Sequence, residues 1–288
     1  HLPQLWPQVP TAGHFGGDSW LRLHEAHVKT ARTNRDPIDV LLVGDSITIQ
    51  LGDAWKKHFT DLKAVNLGIG GDKTQNVLWR LDHGGVEGLQ PKAIVLMFGN
   101  NNMFFAPETG IEAAALGMQM CVKNLREKFP AAAIIVAKIL PAHAPGNPFY
   151  EDIRKTNLAL DPLKLHSDSK VAVVDLWADF TNADGTIKKE LFTPDNIHIT
   201  PAGYAVHAER LKPILDAMFS GKPVRTEARP LPASPRARPL QQLHQRRRHV
   251  EDGTVFRQTP PSRPVGLRSV SRHAQAGAGE ASQVVTTR

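Results

Sequence analysis

Two short stretches of the sequence carry residue types that transfer acyl groups, and the first centres on Ser46. Residues 43–46 read Val-Gly-Asp-Ser, so this serine directly follows an apolar run and precedes a helical stretch. A serine at a strand-to-helix turn exposes its hydroxyl, and its own backbone N–H faces a developing oxyanion. Because Gly-Asp-Ser is also ordinary turn chemistry and recurs at residues 17–19, the tripeptide alone is weak support.

The second stretch is residues 195–198, Asp-Asn-Ile-His, just before the last predicted helix. In a loop, the carboxylate of Asp195 can reach the ring N–H of His198. That contact fixes the tautomer whose other nitrogen is free to take a serine proton. These roles define a general base and its orienting partner.

A glycine-rich loop follows the second apolar run, at residues 66–72, Asn-Leu-Gly-Ile-Gly-Gly-Asp. Glycines let the backbone come close to a ligand. A dinucleotide fingerprint does not fit, because the position three after Gly70 is Lys73. A tight turn without ligand contact is the remaining alternative.

The third apolar run ends in residues 99–102, Gly-Asn-Asn-Asn. An asparagine amide is a neutral N–H donor that stabilises an anionic intermediate, and removing such a donor costs about 100 to 1000-fold in rate. We predict that one of these asparagines serves in this way. A turn with self-bonded asparagines accounts for the other two.

The elements that position these loops are predicted from hydrophobic periodicity. Five apolar runs are too short for typical helices, several are rich in Val and Ile, and they are separated by helix-length stretches, as parallel strands require. They are Val40 to Val43, Ala64 to Leu67, Ala93 to Phe98, Ala133 to Ala137 and Val171 to Val174. Ligands of such sheets bind at the carboxyl ends of the strands, where all these loops lie.

Helical stretches fall between the runs. They are Asp53 to Phe59, Thr74 to Leu81, Ile111 to Lys128 and Tyr150 to Leu165. The last helix is predicted to begin after Thr200, whose hydroxyl can cap it, with Pro201 in its first turn. Alternating strands and helices predict a three-layer α/β sandwich.

Composition narrows the class of protein. The 288 residues are 41% apolar, which is enough for a substantial core, and no apolar run is long enough to span a bilayer. The one cysteine, Cys121, excludes an internal disulfide framework and a cysteine-based zinc site, and we predict a buried, inert thiol. The first residue is His1, so we expect a trimmed form or a fragment, and localisation stays open.

Charge divides the chain near residue 221. Of 35 basic and 28 acidic residues, 13 and 4 lie in residues 221–288, a net charge of +9, which leaves −2 for the first 220 residues. The tail lacks a periodic apolar pattern that could offset the entropy of ordering, so we predict disorder. The arginine run at residues 246–248 can contact phosphates, but a solvated tail is favoured over nucleic-acid binding.

Together these motifs resemble those of the SGNH (GDSL-type) hydrolases, most closely the catalytic subunits of the intracellular platelet-activating factor acetylhydrolases. Residues 66–81, NLGIGGDKTQNVLWRL, are especially similar to the corresponding family segment. The resemblance covers roughly residues 18 to 218. It implies an α/β/α sandwich with a five-stranded parallel, flavodoxin-like sheet, and an N-terminal extension at 1–17, a hydrolase domain at 18–220 and a tail at 221–288.

The resemblance also implies roles for single residues. Ser46 would be the nucleophile, with His198 and Asp195 completing the triad. The Ser46 amide, the Gly71 N–H and the Asn101 side chain would form the oxyanion hole. Two choices remain. The family often has Gly-Thr-Asn-Asn or Gly-x-Asn-Asp where this chain has Gly-Asn-Asn-Asn at residues 99–102, which leaves Asn100 as an alternative to Asn101, although alignment on Gly99 favours Asn101. Asp175 could replace Asp195, although the Asp-x-x-His match favours Asp195.

The function implied is hydrolysis of short-acyl, most of all acetyl, carboxylic esters of small molecules, with no metal or cofactor. Acetylated carbohydrates are the alternative substrate class. A catalytically silent binding or scaffold module is the less favoured alternative, because every matched triad position is present. Related subunits form dimers, so the resemblance also implies a homodimer.

Overall fold

The computed structural model describes residues 17–105 and 110–222. At its centre lies a parallel sheet whose strands are joined in the order β2-β1-β3-β4-β5. The strands are β1 (Ile38–Gly44), β2 (Ala64–Gly68), β3 (Pro91–Met97), β4 (Ala133–Ala137) and β5 (Val171–Val174). In the register of β1, Val40 lies opposite Ala64 of β2 on one side and Ala93 of β3 on the other. This is the flavodoxin-like order, so the predicted fold class is confirmed.

Helices precede, connect and follow the strands. They are α1 (Gly17–Thr33), α2 (Ser46–His58), α3 (Thr74–Asp82), α4 (Asn100–Phe105), α5 (Gly110–Lys128), α6 (Pro148–Leu160), α7 (Trp177–Phe180) and α8 (Pro201–Phe219). Short 3₁₀ turns occur at Asp161–Leu163, Leu165–Ser167 and Lys189–Leu191.

Two apolar cores lie on opposite faces of the sheet, because successive strand residues point to opposite sides. Leu41 and Val43 belong to the core that also contains residues of α3, α5 and α6. Val40 and Leu42 belong to the core shared with α2 and α8. The sheet is therefore the middle of three layers, and its buried strands explain why each apolar run is continuous rather than alternating.

Two predicted helices, α2 and α6, have boundaries that differ from the prediction by several residues. Helix α2 begins at Ser46 rather than Asp53, because Asp45 caps it by accepting a hydrogen bond from the Ile47 N–H at 3.0 Å. Helix α6 ends at Leu160, ahead of two 3₁₀ turns joined by Lys164, whose φ is +47°. Helices α1 and α4 were not predicted from the sequence. The start of α8 is as predicted, since the Thr200 hydroxyl accepts from Gly203 N–H and Pro201 opens the helix.

The predicted disorder of the tail falls on residues 221–288, of which all but the first two lie outside the described residues. The arginine run at residues 246–248 lies outside them as well. Within the two described ranges, no helix is both long and apolar enough to cross a membrane. The three-part domain organisation stays a prediction.

Candidate active site

Ser46 lies where β1 passes into α2, at the carboxyl edge of the sheet. The passage requires glycine at position 44, because a Cβ there would lie 2.2 Å from the Met97 carbonyl oxygen and 2.0 Å from the Thr48 hydroxyl. As the first residue of α2, Ser46 has a backbone N–H without an intrahelical acceptor. The turn therefore presents both a hydroxyl and a free N–H at one point.

His198 and Asp195 lie in the loop before α8, and the loop's own backbone shapes it. Thr193 N–H donates to the His198 carbonyl at 2.8 Å, and Asn196 adopts a left-handed φ of +57°. One Asp195 oxygen, Oδ1, accepts from the Thr193 hydroxyl at 2.7 Å and from the N–H groups of Ile197 and His198 at 2.9 and 3.0 Å. The carboxylate is thus held by its neighbours in the sequence.

The three sequence-predicted residues Ser46, His198 and Asp195 form one hydrogen-bonded chain. Asp195 Oδ2 lies 2.6 Å from His198 Nδ1, and His198 Nε2 lies 2.8 Å from Ser46 Oγ. A carboxylate only accepts, so Nδ1 carries the proton and Nε2 is free to accept the serine proton. A hydroxyl and an imidazole 152 positions apart are in the geometry of a nucleophile and its base.

The Asp195 carboxyl stays ionised far below neutral pH. Partial burial acts to raise its pKa, but hydrogen bonds from His198, Thr193 and two backbone N–H groups outweigh that effect and hold the pKa well below its usual value. A carboxylate that remains charged can stabilise the imidazolium that forms when His198 takes a proton.

Asp175, the other candidate partner of His198, has a different neighbour. Its Oδ2 lies 3.3 Å from Lys138 Nζ, and its Oδ1 accepts from the Trp177 N–H at 2.9 Å. Lys138 also bonds Asp161 at 2.7 Å. The structure therefore brings Asp195, and not Asp175, into hydrogen-bond contact with His198.

The three consecutive asparagines begin α4 and have different surroundings. Asn101 Nδ2 donates to the Asp72 carbonyl at 3.0 Å and lies 3.4 Å from Asp45 Oδ2. Asn102 is buried and bonds Thr74 instead, whereas the buried Asn100 Oδ1 has no hydrogen-bond partner within the described residues. Asn101 is thus the asparagine whose amide N–H group is tied to the glycine-rich loop.

Gly71 lies in that loop, beside Asp72, with a φ of +81° that side chains rarely adopt. Ser46, Gly71 and Asn101 all line one cavity of about 410 Å³, together with His198. The structure therefore brings the proposed oxyanion donors and the base to one place.

The rest of the lining of this cavity is largely apolar. Part of it comes from a helix that the sequence analysis did not predict. The other lining residues are Ser19, Trp20, Leu23, Asp45, Ile47, Ile49, Ile69, Gly70, Asn100, Phe104 and Ile197. The first three come from α1. A signal for this helix was present, because Trp20, His24, His27 and Ala31 recur at helical spacing and form its inner face.

Asp45, between Gly44 and Ser46, is a buried carboxyl for which no Lys, Arg or His of the described residues is an ion-pair partner. Its Oδ1 accepts from the Ile47 N–H, and its Oδ2 faces the Asn101 amide at 3.4 Å. Burial raises the pKa of Asp45 to about 7, and the negative charge of Asp72 adds to the rise. The residue before the serine is therefore a titrating group in the neutral range.

No group of three or more His, Cys, Asp or Glu side chains in residues 17–105 and 110–222 is arranged to hold a metal ion. Cys121 is fully buried in α5, as predicted, and burial raises the pKa of its thiol. That environment is typical of an unreactive structural cysteine.

Comparison with protein families and known proteins gives consistent matches. The model of the GDSL-like lipase/acylhydrolase family matches residues 42–206. The human platelet-activating factor acetylhydrolase IB subunit alpha2 is 34% identical over 211 residues, which cover 72% of this chain and 88% of that protein. The human alpha1 subunit is 32% identical over 226 residues, which cover 75% and 93%.

Solved structures share the fold at lower identity. A protein from Streptococcus pneumonia described as a platelet activating factor superposes with a TM-score of 0.60 at 24% identity, covering 69% of this chain and 93% of that one. A GDSL-like lipase from Bacteroides thetaiotaomicron gives 0.53 at 16%, covering 67% and 97%. An acetylxylan esterase from Geobacillus stearothermophilus gives 0.50 at 16%, also covering 67% and 97%.

Proposed function

The chain belongs to the GDSL-like lipase/acylhydrolase family and is a carboxylic ester hydrolase, and from that premise we propose that it cleaves short-acyl, chiefly acetyl, esters through a Ser46–His198–Asp195 triad. The observation that carries the proposal is the unbroken chain of hydrogen bonds, 2.6 Å from Asp195 to His198 and 2.8 Å from His198 to Ser46.

In the first step, His198 Nε2 removes the Ser46 hydroxyl proton as the oxygen attacks the ester carbonyl. The carbonyl oxygen becomes an oxyanion, and the proton on His198 is passed to the leaving alkoxide as the C–O bond breaks. An acyl group then remains on Ser46. Asp195 stays ionised and stabilises the transient imidazolium.

In the second step, His198 takes a proton from water, and the resulting hydroxide attacks the acyl carbonyl. The second tetrahedral intermediate collapses when Ser46 leaves and regains the proton, which releases the carboxylic acid. In both steps the Ser46 and Gly71 N–H groups and the Asn101 amide are the proposed donors to the oxyanion. All of them are neutral, so the carboxylate product is not held by a fixed cation.

Acetyl esters are the proposed substrates on two grounds. The relatives at 34% and 32% identity are acetylhydrolase subunits. The cavity of about 410 Å³ suits a small ester, and its lining of Leu23, Ile49, Ile69, Phe104 and Ile197 favours an apolar group over a hydrated one. The same lining disfavours acetylated carbohydrates, although the acetylxylan esterase shares the fold.

The test of the triad is Ser46→Ala. We expect hydrolysis of p-nitrophenyl acetate to fall more than about 10⁴-fold, since the nucleophile is lost, while the melting temperature is kept. Ser220→Ala, which changes an exposed serine at the end of α8, is the matched control and is expected to keep wild-type activity. Wild-type activity in Ser46→Ala would reject the assignment.

The substrate class needs a separate assay. With the wild-type enzyme, we expect kcat/KM to fall as the acyl chain lengthens from acetyl to octanoyl, and an acetylated phospholipid to be cleaved faster than acetylated xylan. Faster cleavage of the xylan would show that acetylated carbohydrates, rather than small apolar esters, are the substrate class. The homodimer implied by the resemblance is a further proposal, which light scattering would test.

A further inference from the structure

A fully buried ion pair lies directly behind the proposed oxyanion donors. Asp72 is 0% and Arg80 is 2% exposed. Arg80 Nε and Nη2 both donate to Asp72 Oδ2, at 2.9 and 2.5 Å. Because desolvation of both charges opposes their attraction, a buried pair of this kind contributes little net stability. Its placement therefore calls for a reason other than stability.

Arg80 connects the two strands that lead to the site. Its Nη1 donates to the Leu67 carbonyl in β2 at 2.8 Å, and its Nη2 lies 3.4 Å from the Gly44 carbonyl at the end of β1. The chain after Gly44 turns to Ser46, and the chain after Leu67 continues to Gly71. One guanidinium from α3 thus fixes the ends of both segments.

Asp72 connects the remaining donors. Its backbone carbonyl accepts from Asn101 Nδ2 at 3.0 Å, and the residue before it is Gly71. Its side chain is held from a second direction by Trp20 Nε1, at 2.6 Å from Oδ1. Any rotation of the Asp72 backbone would move the Gly71 N–H and the Asn101 amide together.

On the basis of the proposed function, we propose that Asp72 and Arg80 are positioning residues of the ester hydrolysis. They hold the Gly71 and Asn101 donors in the correct position relative to Ser46. Neither side chain is among those that line the cavity, so neither touches substrate. The rigid planar fork of arginine is needed to bond a carboxylate and two carbonyls at once, and the single ammonium of lysine does not reproduce that geometry.

The test is Arg80→Lys, which keeps the positive charge and removes the fork. We expect kcat to fall about 10 to 100-fold with KM changed less than about twofold, because donors displaced by a fraction of an ångström lose transition-state binding first. A trifluoromethyl ketone forms a tetrahedral adduct on Ser46 whose oxyanion uses the same donors, so its Ki should rise by the same factor as kcat falls.

Arg126→Lys is the matched control. Arg126 also pairs with an aspartate, Asp168 at 2.8 Å, and its Nη1 also donates to backbone carbonyls, those of residues 129, 130 and 132. It lines no part of the cavity. This substitution is expected to lower the melting temperature and to leave kcat and the ketone Ki at wild-type values.

A folded Arg80→Lys enzyme with wild-type kcat and Ki would overturn the proposal, as would a lower kcat with an unchanged Ki. If Arg80→Lys does not fold, Trp20→Phe decides, since it removes the N–H on Asp72 and retains an aromatic ring. Because Trp20 also lines the cavity, Ki is compared with KM, which reports the change in packing. The ratio of Ki to KM should rise about 2 to 10-fold, the value of one hydrogen bond, and a wild-type ratio would overturn the proposal. Ser46→Ala keeps the failures apart. Wild-type activity in Ser46→Ala would reject the proposed function and this proposal with it, whereas an inactive Ser46→Ala together with wild-type kcat and Ki in Arg80→Lys would reject this proposal alone.

Discussion

The two sides of the candidate site are built in opposite ways. The proton-transfer side, which consists of the proposed pair Asp195 and His198, lies in one loop, with 46% and 27% of their side chains exposed, and is fixed by bonds between near neighbours in the chain. The oxyanion side, which consists of the proposed donors Gly71 and Asn101 with Asp72 behind them, is fixed by side chains from α1, α3 and α4 and by a buried ion pair. The proton-transfer side can therefore be recognised as a motif in the sequence, whereas the oxyanion side is assembled only when the chain folds.

The largest expected effect lies on the proton-transfer side. Asp195→Asn should lower kcat by about 10⁴-fold, because an amide allows the wrong tautomer of His198 and no longer stabilises the imidazolium. The measurement is steady-state hydrolysis of p-nitrophenyl acetate. Asp175→Asn is the control, expected to lose stability at its contact with Lys138 and to keep kcat. The reverse ranking would make Asp175 the partner of the base.

A smaller effect is expected on the oxyanion side. Asn101→Ala should lower kcat by about 100 to 1000-fold with little change in KM, because the lost donor acts mainly on the tetrahedral intermediate. Asn100→Ala, at the neighbouring position, should cost less. If Asn100→Ala proves the more damaging change, the oxyanion donor is Asn100 and the link from Asn101 to Asp72 is structural.

The smallest expected effect concerns the dependence of stability on pH, and the sign of that dependence differs between Asp195 and Asp45. The lowered pKa of Asp195 adds stability that is present above its unfolded pKa and lost as pH falls. The raised pKa of Asp45, about 7, means that the folded state resists ionisation, so stability falls as pH rises from the unfolded value of about 4 toward 7.

Asp45→Asn should remove this second dependence on pH, because an amide does not titrate. The helix should be kept, because asparagine can still cap α2. In urea denaturation between pH 4 and 8, the free energy of unfolding of the variant relative to the wild type should increase by up to about 1.4 kcal/mol per pH unit as pH rises through this window. A constant difference across the window would show that Asp45 does not titrate there.

Much of the fold was predictable because the buried parallel strands read as short continuous apolar runs. The β4 and β5 boundaries matched the prediction, and the others differed by a few residues at their ends. The sequence prediction makes α2 too short, because its capping residue, Asp45, also belongs to the Gly-Asp-Ser motif. Helix α1 was missed because no strand precedes it, although its Trp20 and His24 share a face.

The sequence by itself determined the sheet and the turn that carries Ser46, and it favoured Asp195 as the partner of His198, because each depends on periodicity or on residues a few positions apart. Tertiary structure alone decided that Asn101 bonds the Asp72 carbonyl, that Asp175 faces Lys138, and that α1 reaches the cavity. These are contacts between side chains and backbone groups tens of residues apart. Their geometry follows from how the layers pack, which no local pattern encodes.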